Sequence, residues 1–213
     1  KSKTKYAYII NPDVTFKSDT FEKLIKSTEV INDFAILSPV NSNSNYPNFK
    51  NKITSKFDKE DIFEVDTVDG FSMLLNKEKF HNEDLFDENI FLYLENDDFC
   101  KRLNSNNENI YIVPKSKVHH FGGEAVDPKY QHEIELSRNW HWMWSKFYFN
   151  KKHYGYMRAF INIFHNLISA KIKLFYYLIT FNNHKRKIYQ MRLFGLLNSM
   201  IGNKSFYRPK LDD

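Results

Sequence analysis

Five short apolar runs, each cut off by proline, glycine or a small polar residue, limit what the first part of this chain can fold into. Tyr6–Ile10 stops at Asn11-Pro12-Asp13, and Phe34–Leu37 closes at Ser38-Pro39. Phe63–Asp69 alternates apolar and polar residues up to Gly70, Phe71–Leu75 follows, and Ile110–Val113 ends at Pro114. Such runs are strand-length and rich in β-branched and aromatic side chains, and proline lacks the N–H that a central strand needs. Asp19–Lys26 carries Phe21, Leu24 and Ile25 on one face with Asp19 placed to cap a helix, and Lys77–Phe80 predicts a helical turn. Asn41–Asn51, rich in Asn, Ser and Pro, predicts a loop. Strands alternating with short helices point to an α/β domain.

The character changes from Glu133 onward. Ile134–Phe149, with Trp140, Trp142 and Trp144, predicts a long helix, and Tyr156–Phe181 is strongly apolar. Arg158, Lys171 and Lys173 interrupt the latter and make it too polar to cross a membrane. Arg138–Asp213 holds 14 of the chain's 31 Lys and Arg but only 2 of its 26 Asp and Glu. Aromatic helices beside basic clusters fit either a segment lying in an anionic membrane interface or a packed helical subdomain with a solvated basic face. Long aliphatic runs between the cations suit lipid better than a phosphate backbone, so no nucleic-acid partner is expected. The single cysteine, Cys100, excludes an intramolecular disulfide and suits a reducing compartment. The domain division expected is 1–150 and 151–213.

Chemistry concentrates in three places. The apolar run Ile90–Leu94 delivers Glu95, Asp97 and Asp98 as a cluster, followed by Lys101 and Arg102. Carboxylates held at the lip of a core can act as a general base or line a metal site, or else form the acidic first turn of a helix over Asp97–Asn104. Asp13, just past a strand end, could offer oxygen to a hard divalent cation and bridge it to a diphosphate. His119 and His120 precede Gly122-Gly123 and could ligate the same metal, contact a phosphate, or form a surface turn. Gly70 allows close approach of a ligand or makes a bulge.

Taken in order, these segments resemble the C-terminal part of family 2 glycosyltransferases of the GT-A fold, especially rhamnosyltransferase-like members. Four segments carry the resemblance: Ile9–Asp13, Asp69–Leu75, Leu85–Arg102 and Val118–Gly123. It covers roughly Tyr6 to Gly155, and it implies an inverting transfer from a nucleotide-diphosphate sugar to a glycan or lipid-linked hydroxyl, in cell-surface polysaccharide synthesis. It further implies Mg²⁺ or Mn²⁺ held by Asp13 and His120. Glu95, Asp97 and Asp98 would be the catalytic carboxylates, with Asn11, Gly70, Asn96, Arg102 and Trp140 contacting substrate. Asn96 stands where the family has its aspartate base and cannot accept a proton. Glu95 or Asp97 is then expected as the base, with Asp98 holding the helix start or a neighbouring basic group. The tryptophans offer either an acceptor platform or helix-core packing. The fold class expected is α/β, a partial GT-A domain followed by an α-helical, membrane-associated segment. Its strand-helix-strand nucleotide half is expected to lie ahead of Asn11, outside the chain, so that the chain alone would lack most of a donor site. The protein is expected in the cytoplasm, peripheral on the inner face of the cell membrane. The alternative is a non-catalytic homologue that binds a membrane or a protein partner.

Overall fold

A computed structural model describes residues 4–43, 47–51, 61–80, 85–122 and 126–211. Gly123 of the histidine-glycine segment and 44–46 of the expected loop lie outside the described residues. The chain divides into two compact units, Lys1–Asp87 with Asn96–Ala125, and Glu88–Glu95 with Val126–Asp213. The expected division at 150 falls inside a helix of the second unit.

The first unit is built on strands β1 (Tyr6–Ile10), β2 (Val14–Phe16), β3 (Ile36–Asn41), β4 (Phe49–Asn51), β5 (Phe63–Val68), β6 (Ser72–Asn76) and β7 (Ile110–His120). They lie in the order β1-β6-β3-β7-β5-β4, with β2 paired to β7. Helix α1 (Thr20–Val30) packs Leu24 against Phe34, Leu37, Leu74 and Val113. Helix α2 (Glu95–Ser105) contributes Phe99, Cys100 and Leu103 to the larger core, with Ile36, Phe63, Val65, Met73, Leu75 and Ile112. Alternation along β3 and β6 therefore serves two helices, which is why these strands read as continuous apolar runs and not as half-polar ones. Burial in this core pushes the Cys100 thiol up to about 12.

Two strands run through prolines that were expected to end them. β3 passes Pro39 and β7 passes Pro114, because their parallel register slips between Pro39, opposite Val113, and Val40, opposite Lys117. Both prolines sit at this break, where a missing N–H costs no ladder bond. Buried Asn48 repairs the gap: its Nδ2 donates to the Pro39 carbonyl at 2.9 Å and its Oδ1 accepts from the Asn41 N–H at 2.9 Å. Asp19 precedes α1 as expected but caps nothing with its side chain, which pairs with Lys23 at 2.6 Å instead.

The second unit is helical: α3 (Gln131–Tyr154), α4 (Tyr156–Ile179) and α5 (Asn183–Met200). Gly155, at φ 82°, makes the break between α3 and α4 that an L side chain would resist. Met143, Phe147, Ala159, Ile163, Leu167 and Leu196 form its core. α3 and α5 meet closely, since a Cβ on Gly195 would lie 2.1 Å from the Trp140 carbonyl oxygen. The chain after α5 returns along α3: Trp144 Nε1 donates to the Asn203 carbonyl at 3.0 Å and His141 Nε2 to the Tyr207 carbonyl at 2.9 Å. Burial, foremost, lowers the His141 pKa and favours its neutral ring.

These observations correct the expected fold class. In place of a partial GT-A domain followed by a membrane-associated segment beginning at 151, the chain forms a mixed α/β domain with several helices and an open sheet. Of the described pairings five are antiparallel and only β3 with β7 is parallel. The sheet ends at β1 and β4 without closing, and the helical part already begins at Gln131. Among the described residues, no helix is long and apolar enough to cross a membrane.

Candidate functional site

The first unit brings residues of all four sequence segments together. The ladder aligns Ile10 with Ser72 and Val14 with His120, so the Asn11–Asp13 turn runs from β6 to the end of β7. Asn11 is exposed at this turn, and its N–H donates to the Phe71 carbonyl at 2.9 Å. Across it, Asp13 Oδ2 lies 3.3 Å from His120 Nε2, both side chains largely buried. The His120 ring stacks on Phe71 with centroids 4.3 Å apart, which leaves the imidazole little freedom to turn.

The start of α2 closes the group from another side. Asn96 Nδ2 donates to the Val68 carbonyl at 2.8 Å, and a Cβ on Gly70 would come within 3.3 Å of the Asn96 Cβ. Gly70 thus allows a close approach, by this chain's own helix start. Asp97 pairs with Lys50 Nζ at 3.0 Å, and Asp69 donates its N–H to the Asn48 carbonyl at 2.9 Å. The Asp69 carboxyl is pushed above the ordinary carboxylate range, first by burial and then by the charge of Asp97, with Lys50 and His120 pulling it back. A carboxyl tuned in this way is suited to exchange protons nearer neutrality.

Asp69 was not among the expected site residues. Its signal in the sequence was slight, a carboxylate directly before the glycine that separates two strands. Of the remaining expected residues, Asp98 holds a neighbouring basic group, as expected. Asp98 is fully buried and bonded to Arg102 Nε at 3.0 Å, while Arg102 also donates to the Leu85 carbonyl at 2.8 Å. This buried ion pair fastens α2 to the segment at Leu85. Trp140, expected against a sugar, is 1 % exposed and stacked between Trp144 and Tyr207, with no face open to an acceptor. Glu95 opens α2 and belongs to the second unit. His119, exposed, lies 3.3 Å from the Ser42 hydroxyl through its Nδ1.

Metal-binding capacity is present, in a different place from the one expected. His132 and Glu135 on α3 and His184 on α5 bring three ligand atoms within 4.8 Å of one another, a cluster capable of coordinating a metal ion. Asp13 and His120 supply two ligand atoms at 3.3 Å. No family model matches the chain, and no curated protein matches it.

Proposed function

We propose that the chain carries the reaction centre of an inverting glycosyltransferase, similar to family 2 enzymes, that moves a sugar from a nucleotide-diphosphate donor to the hydroxyl of a glycan or lipid-linked acceptor. The observation that carries this is the Asp13–His120 pair, 3.3 Å apart, grouped with the perturbed carboxyl of Asp69 and with Asp97. One carboxylate oxygen and one imidazole nitrogen fit a Mg²⁺ or Mn²⁺ site that leaves room for diphosphate oxygens and water. Such an ion, when bound, offsets the charge that gathers on the departing diphosphate. Asp13 and His120 hold and orient the diphosphate end of the donor. Asp69 or Asp97 takes the proton of the acceptor hydroxyl. The acceptor oxygen then bonds to the anomeric carbon from the face opposite the diphosphate, and the breaking C–O bond leaves its electron pair on the diphosphate. Lys50 Nζ, 3.0 Å from Asp97 Oδ1, orients that carboxylate.

The second unit supports a location at the inner face of the cell membrane. α4 buries Ala159, Ile163, Leu167 and Ala170 yet also exposes Met157, Ile161, Phe164, Ile168, Ile172, Phe175 and Ile179 at helical spacing. Lys171 and Arg186 flank a groove lined by Phe175, Leu178 and Phe194. An apolar stripe beside cations suits the headgroup region of an anionic leaflet, where a lipid-linked acceptor would be presented.

With the expected nucleotide-binding half joined ahead of the chain, the decisive experiment measures nucleoside-diphosphate release from a panel of nucleotide sugars with Mn²⁺ and with chelator. Activity is expected with Mn²⁺, falling about a hundredfold in Asp13→Ala. Full activity in that variant would remove the metal assignment. The absence of turnover with every donor, together with vesicle binding, would favour the non-catalytic membrane binder.

A further inference from the structure

We infer that His132, Glu135 and His184 form a second metal site, for a zinc-class transition ion, that ties the beginning of α5 to the beginning of α3. His132 and Glu135, three residues apart on α3, share a face of that helix. His184 is the second residue of α5, and its backbone position is set by Asn182, whose side chain accepts from the Lys185 N–H at 3.1 Å. His184 Nε2 and Glu135 Oε2 are 3.3 Å apart, and the His132 and His184 rings are centred 5.1 Å apart.

Geometry and ligand chemistry agree on the class of ion. Bonds of about 2.0–2.2 Å to nitrogen and oxygen place neighbouring ligands of a tetrahedral ion roughly 3.3 Å apart. The His184–Glu135 separation already has that length. The remaining spacings are at most 4.8 Å. Two imidazoles and one carboxylate suit Zn²⁺, Co²⁺ or Ni²⁺, whereas Mg²⁺ and Mn²⁺ favour oxygen-rich sets. Three protein ligands leave one position for water. The neighbouring cation Lys185 directs its ammonium onto the Tyr177 ring, 5.5 Å from its centroid. Gly195 already fastens α5 to Trp140 by backbone contact, about 16 Å further along the helix. The ion would fasten the other end of the same helix pair.

This site is independent of the proposed reaction centre, and its test keeps the two apart. The full chain, stripped of metal, is titrated with Zn²⁺ by calorimetry, and its melting temperature is read with and without the ion. One Zn²⁺ per chain with a rise in melting temperature is expected. His132→Ala, His184→Ala and the milder His184→Gln should each weaken binding at least about tenfold and abolish the rise, at unchanged melting temperature of the metal-free protein. Asp13→Ala should bind Zn²⁺ at this site as the unaltered chain does. No Zn²⁺ binding by the unaltered chain, or equal binding by the histidine variants, overturns the proposal.

Discussion

Asp69 shows how much a single carboxyl can reveal about a site that its neighbours only outline. Burial and Asp97 raise its pKa, so the folded chain holds its proton more tightly than the unfolded chain does. Its stabilising contribution is therefore complete below the unfolded value near 3.8 and is lost as the pH rises through the raised folded value. Asn cannot ionise, so Asp69→Asn is expected to melt at a higher temperature than the unaltered chain at pH 7, with the gap closing below that value. The same substitution should slow sugar transfer about a hundredfold if Asp69 is the base. A variant as active as the parent would leave that role to Asp97. Cys100 offers a contrasting test. With its pKa pushed up to about 12, its thiolate fraction at pH 8 is roughly one part in ten thousand, and a thiol reagent should label it only in denaturant. Rapid labelling of the native chain would mean that α2 is not packed on the sheet as described. At this scale the sequence told most at strand ends, where it singled out Asp13 and His120 and the fold sets their side chains 3.3 Å apart. It told least where burial decides, since Trp140 and Asp98 look available in a string of letters and are enclosed in the fold.

The elements themselves were largely legible, because periodicity and composition are local. Their limits were not. Pro39 and Pro114 look like strand ends, yet each lies inside a strand because the partner slips register beside it, a non-local fact that neither segment records. Asn48 looks like one polar loop residue among several, but its amide bridges that slip and its carbonyl receives the Asp69 N–H. Asn48→Ala is therefore expected to cost about 2 kcal/mol, through buried polar groups left unpaired, as read from urea unfolding. Gly195 makes the corresponding point in the helical unit. A Cβ there would meet the Trp140 carbonyl oxygen at 2.1 Å, and backbone cannot swing aside as a side chain can. Gly195→Ala should cost about 3 kcal/mol by prising α5 from α3, and a variant of native stability would rule out so close a crossing. The His132–Glu135–His184 cluster stayed hidden for the same reason as the register slip: spacing along α3 shows two of its ligands, and only the packing of α5 supplies the third.

At the scale of the whole molecule, sequence readily revealed the change of character near Glu133 but not the order of the strands. Strand order depends on which runs pair, and the mixed sheet joins β1 to β6 and β3 to β7 across long stretches of chain. The charge imbalance carries further. From Arg138 onward 14 basic residues face 2 acidic ones, while α4 leaves an apolar stripe uncovered. A helix that is apolar on its packed face and again on its outer face gains nothing from water, so the outer face needs another surface. On the proposed membrane reading, the cations would supply long-range attraction to a leaflet containing anionic lipid and the stripe would supply insertion. The two contributions separate experimentally. Co-sedimentation with phosphatidylserine-containing vesicles should weaken steeply as salt rises, because exposed charges are screened beyond about 8 Å at physiological ionic strength. Replacing Ile172 and Phe175, both well exposed, with Glu should remove about 3 kcal/mol of insertion, roughly a hundredfold in partitioning, with helix content by circular dichroism unchanged. Binding that survives both high salt and the double substitution would sink the membrane reading. Capture of RNA but not vesicles would replace it with a nucleic-acid surface. Neither result would touch the proposed Asp13–His120 centre, whose test is turnover of a nucleotide sugar in solution.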